Sequence, residues 1–528
     1  MKTIALLSML HESATAHSAI RPFRAEPVLA WTVRRLKRAK RLDSITIAAW
    51  EDQAETLAGF DVNVRIVGER RIAAALEAIT AAQKWSNGWR GGLLATCAYD
   101  RGYLAGTVLE VTADADAVVL VDPASALVDA GIIDRLIDAA ERGARDYYFT
   151  QAPPGLAGVL LKRSMVQRLA DGNTHPGKVV HYLPEAPVLD PVTSDACVEL
   201  PLTISRSTER FLFDSSQHIN RLSMATEPLN GTLISTSAEG IVGRLAGIDR
   251  AGAFPREITL ELTTRRSSKP IFAPGTHLPL SRSDLPLEFS YQLIDELIHY
   301  DGVRLCLAGA GDPLLHPSFV DILTRCADLP AVSIETDLID VNDAQLNAIV
   351  RANVDVVSIH LPAMTPGTYA QVMGVDALSK VVDNVKRLLA IRQASGRGTP
   401  ILAPTFMKLA SNMDEMEQWY DTWLRAVGSA VILGPSDFAG QIPDCSAANM
   451  TPPLRRACAR IESRLTILSD GSIVMCEQDA AARFPLGKVG VDSIADVWQK
   501  AMGEVRDLHR SRTSLPVLCG ECREWHRA

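Results

Sequence analysis

The sequence contains no run of about 18 to 20 uninterrupted apolar residues, which is the length that a membrane-spanning helix needs. It also has no excess of positive charge, because 54 lysines and arginines stand against 62 aspartates and glutamates, a net charge of -8. The first absence predicts a soluble chain without a membrane partner. The second argues against a nucleic-acid partner, since a phosphate backbone is bound by a basic surface.

The first ten residues, "MKTIALLSML", place a lysine before an apolar run, as a secretory signal does. That run is only about eight residues long, and His11 and Glu12 interrupt it. We therefore expect a buried first strand rather than a cleaved signal. The nine cysteines form an odd number spread over a long chain, which is typical of a reducing compartment and predicts a cytoplasmic location.

The composition is that of a globular protein, with 528 residues, 47% hydrophobic and 22% charged. A chain of this length exceeds one core, so we expect two or three domains. Strands and helices alternate over residues 1–230, which predicts a first α/β domain. Small and polar residues over 231–255 predict a linker. The alternation of strands and helices resumes over 256–435, which predicts a second α/β domain. A final segment, 436–528, carries most of the clustered cysteines.

The first domain is predicted to be a doubly wound α/β fold. The segment "AVVLVDPASAL" indicates a buried strand that leads into Asp122, and "GIIDRLIDAAERG" indicates the helix after it. Together with "EPVLAWTVRRLKRA" and "LPLTISRSTERFLFD", this order resembles the nucleotidyltransferases that activate sugars, especially the CMP-sugar cytidylyltransferases. The resemblance implies that Asp122 holds Mg²⁺, a cation that prefers carboxylate oxygen.

Those enzymes cradle phosphates on a glycine-rich loop after the first strand. Here the corresponding stretch, "SMLHESATAHSAIRPFRAEP", contains no glycine, although Arg21 and Arg24 carry charge that attracts phosphate. Nucleotidyl transfer would also require a second carboxylate, for which Asp114 and Asp116 are the candidates. A single carboxylate at a strand end can equally be a helix cap.

Five strands alternate with four helices from Arg256 to about residue 435, which predicts a closed or partial TIM-type β/α barrel with its site at the carboxyl ends of the strands. The motif "LAGAGDPLLHPSF" and the segments "SIETDLI" and "VDVVSIHLPAMTPGTYAQVMG" resemble the radical S-adenosylmethionine family. The resemblance implies that Gly309, Gly311 and Asp312, followed by Pro313, receive the cofactor's methionyl amino group.

The same family places three cysteines, spaced C-x3-C-x2-C, directly after the first barrel strand to hold an iron-sulfur cluster. Aligned from "ELTTR", the three positions here are Arg266, Pro270 and Ala273. None of them supplies a thiolate, so we expect that S-adenosylmethionine is not cleaved. His277 and His316 lie nearby in sequence and are interpreted as a loop residue and a turn or packing residue.

Four cysteines remain near the C-terminal end: Cys458, Cys476, Cys519 and Cys522. The first two flank a predicted hairpin, "RLTIL" and "SIVMC", whose turn is Ser469-Asp470-Gly471. Two such cysteine pairs suit either structural zinc or a four-iron, four-sulfur cluster.

The segments "GSIVMC" and "PLGKVGVDSIADVWQ" resemble the SPASM and twitch extensions of radical S-adenosylmethionine enzymes. The resemblance favours one auxiliary cluster, held by all four thiolates. Cys445 is interpreted as a free thiol, and the remaining cysteines, which have no partner spacing, as small buried hydrophobes: Cys97, Cys197, Cys306 and Cys326.

Three functions follow as hypotheses. The chain is a radical S-adenosylmethionine-type protein that keeps the barrel and the auxiliary cluster as a binding or electron-relay platform for a small-molecule ligand. Alternatively, it is an accessory protein that docks to a partner modification enzyme. The third hypothesis is a nucleotide-sugar transferase that uses the first domain. Substrate and oligomeric state do not follow from the sequence.

Overall fold

The computed structural model describes residues 1–10, 18–71, 74–85, 103–176, 193–248, 250–511 and 514–527. The chain forms two compact units, Met1–Asp249 and Arg250–Ala528. Within the described ranges, no helix is both long enough and apolar enough to cross a membrane.

The first unit is built on a seven-stranded mixed sheet with a small separate hairpin. Its strands are β1 (Thr3–Ser8), β2 (Pro22–Phe23), β3 (Glu26–Pro27), β4 (Ser44–Ala49), β5 (Asn63–Ile66), β6 (Ala117–Val121), β7 (Tyr147–Thr150), β8 (Val159–Lys162) and β9 (Cys197–Val198). The order in the sheet is β5-β4-β1-β6-β8-β7-β9, and β2 pairs with β3. The four neighbouring strands β5, β4, β1 and β6 are parallel to one another, as a doubly wound fold predicts.

The helices of this unit are α1 (Val28–Leu36), α2 (Ala54–Leu57), α3 (Ala74–Trp85), α4 (Ala105–Val111), α5 (Ala130–Arg142), α6 (Arg163–Asp171), α7 (Leu202–Ser205), α8 (Ser216–Thr226) and α9 (Ala238–Val242). Residues of α1, α2 and α5 pack on one face of the sheet, and residues of α4 and α6 pack on the other. Strand β1 shows why both faces are needed. Ala5 and Leu7 pack into one apolar cluster, and Ile4 and Leu6 pack into another on the opposite face. A strand buried on both faces is apolar throughout, which is the pattern of "TIALLS".

The segment 231–255, which the sequence predicts to be a linker, is instead folded into the two units. It contains α9, and Ala238, Ile241 and Leu245 are buried in an apolar cluster that also holds Phe211 and Phe213 of the first unit. The polar composition of the segment misled the prediction, because three apolar side chains at helical spacing are enough to anchor it.

The second unit is built on an open nine-stranded sheet, which we call the barrel sheet after the predicted β/α barrel. Its strands are β10 (Glu257–Leu260), β11 (Arg304–Leu307), β12 (Val332–Thr336), β13 (Val356–His360), β14 (Ile401–Met407), β15 (Val431–Leu433), β16 (Arg464–Ile467), β17 (Ser472–Val474) and β18 (Pro485–Lys488). The order is β15-β14-β13-β12-β11-β10-β16-β17-β18. The first seven strands in this order, β15 through β10 and then β16, are parallel to one another. Strands β17 and β18 then add an antiparallel edge.

The helices of this unit are α10 (Pro274–His277), α11 (Leu287–Leu297), α12 (Phe319–Arg325), α13 (Asp343–Arg351), α14 (Pro366–Met373), α15 (Leu378–Ala394), α16 (Met416–Val427), α17 (Ile494–Gln499), α18 (Ala501–Ser511) and α19 (Val517–Glu521). Their ends follow local sequence signals. The side chain of Asn342 accepts from the backbone N–H of Gln345, whose side chain accepts from the N–H of Asn342, and this capping box starts α13. Gly374, with φ +69°, ends α14.

The C-terminal hairpin joins the barrel sheet directly. Strand β16 pairs in parallel with β10, with Glu257 opposite Arg464 and Leu260 opposite Ile467. Gly471, at φ +84°, makes the predicted turn between β16 and β17. The segment 436–528, predicted as a separate domain, is therefore part of the same compact unit as the barrel.

Candidate functional site

The four C-terminal cysteines line one cavity in the second unit. Cys458 precedes β16, Cys476 follows β17, and Cys519 and Cys522 lie in and just after α19. The cavity itself is small, with a volume of about 20 Å³. The hairpin and α19 thus bring together the residues that the sequence predicts as metal ligands.

Backbone amides already point at three of these sulfur atoms. The N–H of Glu524 donates to Cys522 Sγ at 3.2 Å, and Cys476 accepts from the backbone N–H of Gln478. Cys458 accepts from the backbone N–H groups of Arg460 and Ile461. In each case a donor lies two residues after the cysteine, and such bonds stabilise a thiolate over a neutral thiol.

Burial works against the charged form of each of these thiols. It raises the pKa of Cys519 to about 12, and the neighbouring charges of Cys522 and Cys458 add to this rise. Burial also raises the pKa values of Cys458, Cys476 and Cys522. A positive metal centre is the partner that offsets this cost, because it binds the deprotonated sulfur and releases the proton.

The last two cysteines are held in place by Arg455, which the sequence analysis did not identify. Its guanidinium donates to the backbone carbonyl of Cys519, and to those of Gly520 and Cys522 at 3.4 Å each. No spacing signal marks this arginine, since it lies more than sixty residues before the loop that it binds. It fixes the loop between the paired cysteines through their backbone.

The described cysteines are all free thiols: Cys197, Cys306, Cys326, Cys445, Cys458, Cys476, Cys519 and Cys522. Cys97 lies outside the described residues. Cys326 is fully buried, and Cys445 contacts the carbonyl of Ile271 at 4.0 Å, away from the residues that line the cavity. Across the described ranges, no group of three or more His, Cys, Asp or Glu side chains is arranged to hold a single metal ion.

A different arrangement occupies the mouth of the barrel, where the loop after β10 lies. Arg266 stands at the first of the three positions that lack cysteine, and its Nε donates to Asp337 Oδ2 at 2.8 Å. Its Nη2 lies 3.2 Å from His360 Nδ1, which is 3.1 Å from Asp337 Oδ1. Ser268 donates to the same carboxylate. Asp337 is only 1% exposed, so this ion pair is buried.

The other two positions are fixed by backbone bonds. The N–H groups of Lys269 and Ile271, on either side of Pro270, donate to the carbonyls of Met373 and Val372 at 2.8 and 3.0 Å. The N–H of Ala273 donates to the Pro270 carbonyl at 3.0 Å. The loop is therefore attached to the end of α14 through its backbone.

The predicted cofactor residues Gly309, Gly311 and Asp312 lie at the same mouth, after β11. A Cβ added to Gly311 would lie 2.3 Å from the carbonyl oxygen of Thr263, and one added to Gly309 would lie 2.6 Å from Glu261 Cγ. Both glycines therefore permit close packing of the chain that follows β10.

Asp312 is buried and accepts only internal donors among its recorded bonds. Thr336 Oγ1 lies 2.8 Å from Oδ2, and the N–H groups of Asp337 and Leu314 donate at 3.0 Å. Burial, and then the adjacent charge of Asp337, raise the pKa of Asp312 to about 6. Burial alone would raise the pKa of Asp337 as well, but Arg266 and His360 hold it far below its usual range.

The two nearby histidines serve local structure. His277 lies at the end of α10, with Nε2 2.8 Å from the carbonyl of Ile271. His316 is buried, with Nε2 3.0 Å from the carbonyl of Leu285, and its Nδ1 accepts from the N–H of Ser318 at 3.1 Å. This placement agrees with their interpretation as loop and turn residues.

In the first unit, the proposed magnesium carboxylates lie at opposite ends of one strand. Asp122 follows β6, and its Oδ1 accepts from the N–H of Ala124 at 2.8 Å. Asp116 precedes β6 and accepts from the N–H of Lys2 at 2.7 Å, while Asp114 binds Lys2 Nζ at 2.6 Å. Strand residues advance about 3.3 Å each, which separates Asp122 from Asp116 by roughly 20 Å. Asp114 and Asp116 therefore lie far from Asp122, and neither is placed as the second carboxylate that nucleotidyl transfer would require.

The two arginines expected to attract phosphate are engaged with the protein. Arg24 donates to the carbonyl of Thr226. Burial lowers the pKa of Arg21, and the charge of Asp214 counters that effect. Residues 11–17 of the stretch that lacks glycine lie outside the described residues.

Comparison with known proteins identifies two family matches in this chain. Residues 277–402 match the radical SAM superfamily, and residues 458–523 match an iron-sulfur cluster-binding domain, SPASM. The two predicted resemblances of the second unit are thereby confirmed at the level of the family. The first match begins beyond Arg266, Pro270 and Ala273, and the second spans all four cysteines of the cavity.

Individual relatives are more distant. An uncharacterized protein of Treponema pallidum (strain Nichols) is 24% identical over 286 residues, which cover 52% of this chain and 79% of that protein. The crystal structure of Streptococcus suis SuiB bound to precursor peptide SuiA aligns with a TM-score of 0.43 and 11% identity, over 58% of this chain and 73% of that one. A cytidylyltransferase from Leptospira borgpetersenii serovar Hardjo-bovis aligns with a TM-score of 0.29 and 16% identity, over 46% and 91%.

Proposed function

We propose that this chain is an iron-sulfur protein that binds one four-iron, four-sulfur cluster through Cys458, Cys476, Cys519 and Cys522. One observation carries the proposal: four thiols from separate segments line one cavity, and three of them accept backbone N–H bonds that favour the thiolate. The match to an iron-sulfur cluster-binding domain over the same residues supports it.

The residues of this chain prepare the cavity for such a group. Each thiol is buried enough to stay protonated at neutral pH, so binding must release protons. Arg455 holds the loop of the last two cysteines from its backbone side. A cluster with four protein thiolates supplies one-electron transfer and cross-links the segments that carry them.

For the barrel, we propose that S-adenosylmethionine is not reductively cleaved. Cleavage requires an electron from an iron that binds the cofactor directly, and the loop that would hold that iron offers Arg266, Pro270 and Ala273. Arg266 is bound to Asp337, and Asp312 is surrounded by internal donors. The role that fits both parts is a cluster-bearing binding, electron-relay or accessory protein in the modification of a small molecule or a peptide.

The cluster is tested by anaerobic purification followed by analysis of iron, sulfide and zinc. We expect about four irons and four sulfides per chain. The Cys519→Ser and Cys522→Ser variants should lose them, whereas Cys445→Ser, which removes a free thiol of the same unit, should retain them. About one zinc per chain without sulfide would instead establish the structural-zinc alternative.

Loss of cleavage is tested separately. The reduced protein is incubated with S-adenosylmethionine, and the mixture is analysed for 5′-deoxyadenosine. We expect none above the level of a protein-free control. Formation of 5′-deoxyadenosine together with about eight irons per chain would refute the proposal for the barrel while leaving the C-terminal cluster in place.

Nucleotidyl transfer by the first unit is not favoured by the geometry. Asp122 caps a local turn, and Asp114 and Asp116 lie at the other end of the strand. Magnesium-dependent release of pyrophosphate from CTP, abolished by Asp122→Ala, would restore that hypothesis.

A further inference from the structure

The cavity of the four cysteines has an additional polar lining residue, His509. It lies near the end of α18, is 2% exposed, and lines the cavity with the four thiols. Within the described part of the chain, neither Nδ1 nor Nε2 of its ring has a hydrogen-bond partner. Unpaired buried polar groups are costly in native proteins, so this imidazole requires a partner that the described residues do not supply.

Two arginines of the same lining share this property. The Nε atoms of Arg455 and Arg460 are buried and have no partner among the described residues. Three side chains of the lining therefore each have a buried nitrogen without a hydrogen-bond partner among the described residues. Its buried carboxylate, Glu524, already forms an ion pair with Arg527 Nη1 at 2.8 Å. Donors without acceptors, next to four thiols, fit an anionic group rich in sulfur.

The state of the His509 ring is set by its surroundings. Burial, and then the positive charge of Arg455, lower the pKa of His509. A neutral imidazole has one N–H donor and one lone pair, and it can donate without introducing another buried charge. Because the four cysteines already provide four ligands, the ring is not needed to bind iron.

We propose that His509 donates its N–H to a sulfur atom of the cluster bound by the four cysteines and thereby raises the reduction potential of that cluster. This inference rests on the proposed function. One-electron reduction adds negative charge to the sulfur atoms, and an N–H dipole that points at them stabilises the reduced form more than the oxidised form. His509 is thus a positioning and tuning residue rather than a ligand.

The test is a spectroelectrochemical titration of the cluster in the full-length protein, with dithionite as the reductant, in the wild type and in His509→Leu. We expect full iron content and about a tenfold lower equilibrium constant for one-electron reduction, which is about 59 mV towards negative potential. His509→Gln retains a side-chain N–H donor and should recover most of the shift. His299→Leu removes an exposed histidine of the same unit and should leave the potential unchanged.

A second measurement does not depend on the folding of a variant. In wild-type protein labelled with ¹⁵N-histidine, pulsed electron paramagnetic resonance of the reduced cluster should show one weakly coupled histidine nitrogen. An unchanged potential in a cluster-bearing His509→Leu, or no histidine coupling in the wild type, would overturn the role of His509 alone. A coupling as strong as that of an iron-bound nitrogen would also overturn it. Wild-type protein without iron would instead overturn the proposed function.

Discussion

The ion pair at the barrel mouth leads to a quantitative prediction for Arg266→Ala. The substitution leaves the carboxylate of Asp337, which is 1% exposed, without its cationic partner. Removal of one member of a buried ion pair costs about 3 to 5 kcal/mol. We expect the lower end, about 3 kcal/mol, because Ser268 and His360 still contact Asp337.

The neighbouring residue provides a matched control. Arg265 forms an ion pair with Asp284 at 2.7 Å, but the two side chains are 53% and 33% exposed. Arg265→Ala should therefore cost less than about 1 kcal/mol. The two substitutions remove the same side chain from adjacent positions of one loop. The difference between their effects on the free energy of unfolding therefore measures how much burial strengthens the ion pair of Arg266.

Hydrogen exchange measured by mass spectrometry suits this two-unit chain, because peptides from β11 to β13 report the free energy of unfolding of the second unit alone. A double-mutant cycle with Asp337→Ala then isolates the coupling between the two side chains. If Arg266→Ala costs no more than Arg265→Ala, the network does not hold the barrel mouth together. The inference that this buried ion pair stabilises the loop after β10 would then be refuted.

Three further predictions concern the same unit. The pKa of Asp312 rises from 3.8 to about 6 on folding, so the free energy of unfolding should fall by about 2 kcal/mol as the pH increases from 4 to 6, and Asp312→Asn should abolish that slope in hydrogen exchange. Gly311→Ala should cost about 2 kcal/mol or more because its Cβ would meet a carbonyl oxygen, whereas Gly367→Ala, with open space around it, should cost nothing in the same assay. Arg455→Met should accelerate amide exchange in residues 519–522, and unchanged exchange would show that the backbone clamp is absent.

Most of the parallel strands of both units were predictable because each of those is a short apolar run followed by a helical pattern. In "AVSIET" and "DVVSIHL", the run predicts a strand, and β12 and β13 lie there. The pairing of β16 with β10 was not predictable, since it depends on burial between distant segments rather than on local periodicity.

The candidate ligands were found because cysteine spacing is a local signal. Cys519 and Cys522 are separated by two residues, and Cys458 and Cys476 flank a hairpin with a glycine turn. His509 carries no such signal, because in "AMGEVRDLHRS" it reads as one more residue on the face of an amphipathic helix. Only the packing of α18 against the cysteine cavity reveals it.

Proximity in sequence made Asp114 and Asp116 the candidates for a carboxylate beside Asp122. Asp114, Asp116 and Asp122 lie within nine positions of one another. An extended strand places its two ends far apart, whereas the same residues on a helix would lie about a turn or two from each other. The buried run between Asp116 and Asp122 was itself the evidence that they cannot share a metal ion.

The parallel pairing of β10 with β16 also determines the order of events during synthesis. Glu257 reaches its partner Arg464 only after about 200 further residues have been made, which takes roughly 10 to 40 s at ordinary elongation rates. Until then the edge of β10 is free to pair with other strands. The segment that carries the cysteines thus also covers this edge of β10, so a ribosome that stalls before Arg464 leaves the strand with an unpaired edge and a tendency to aggregate.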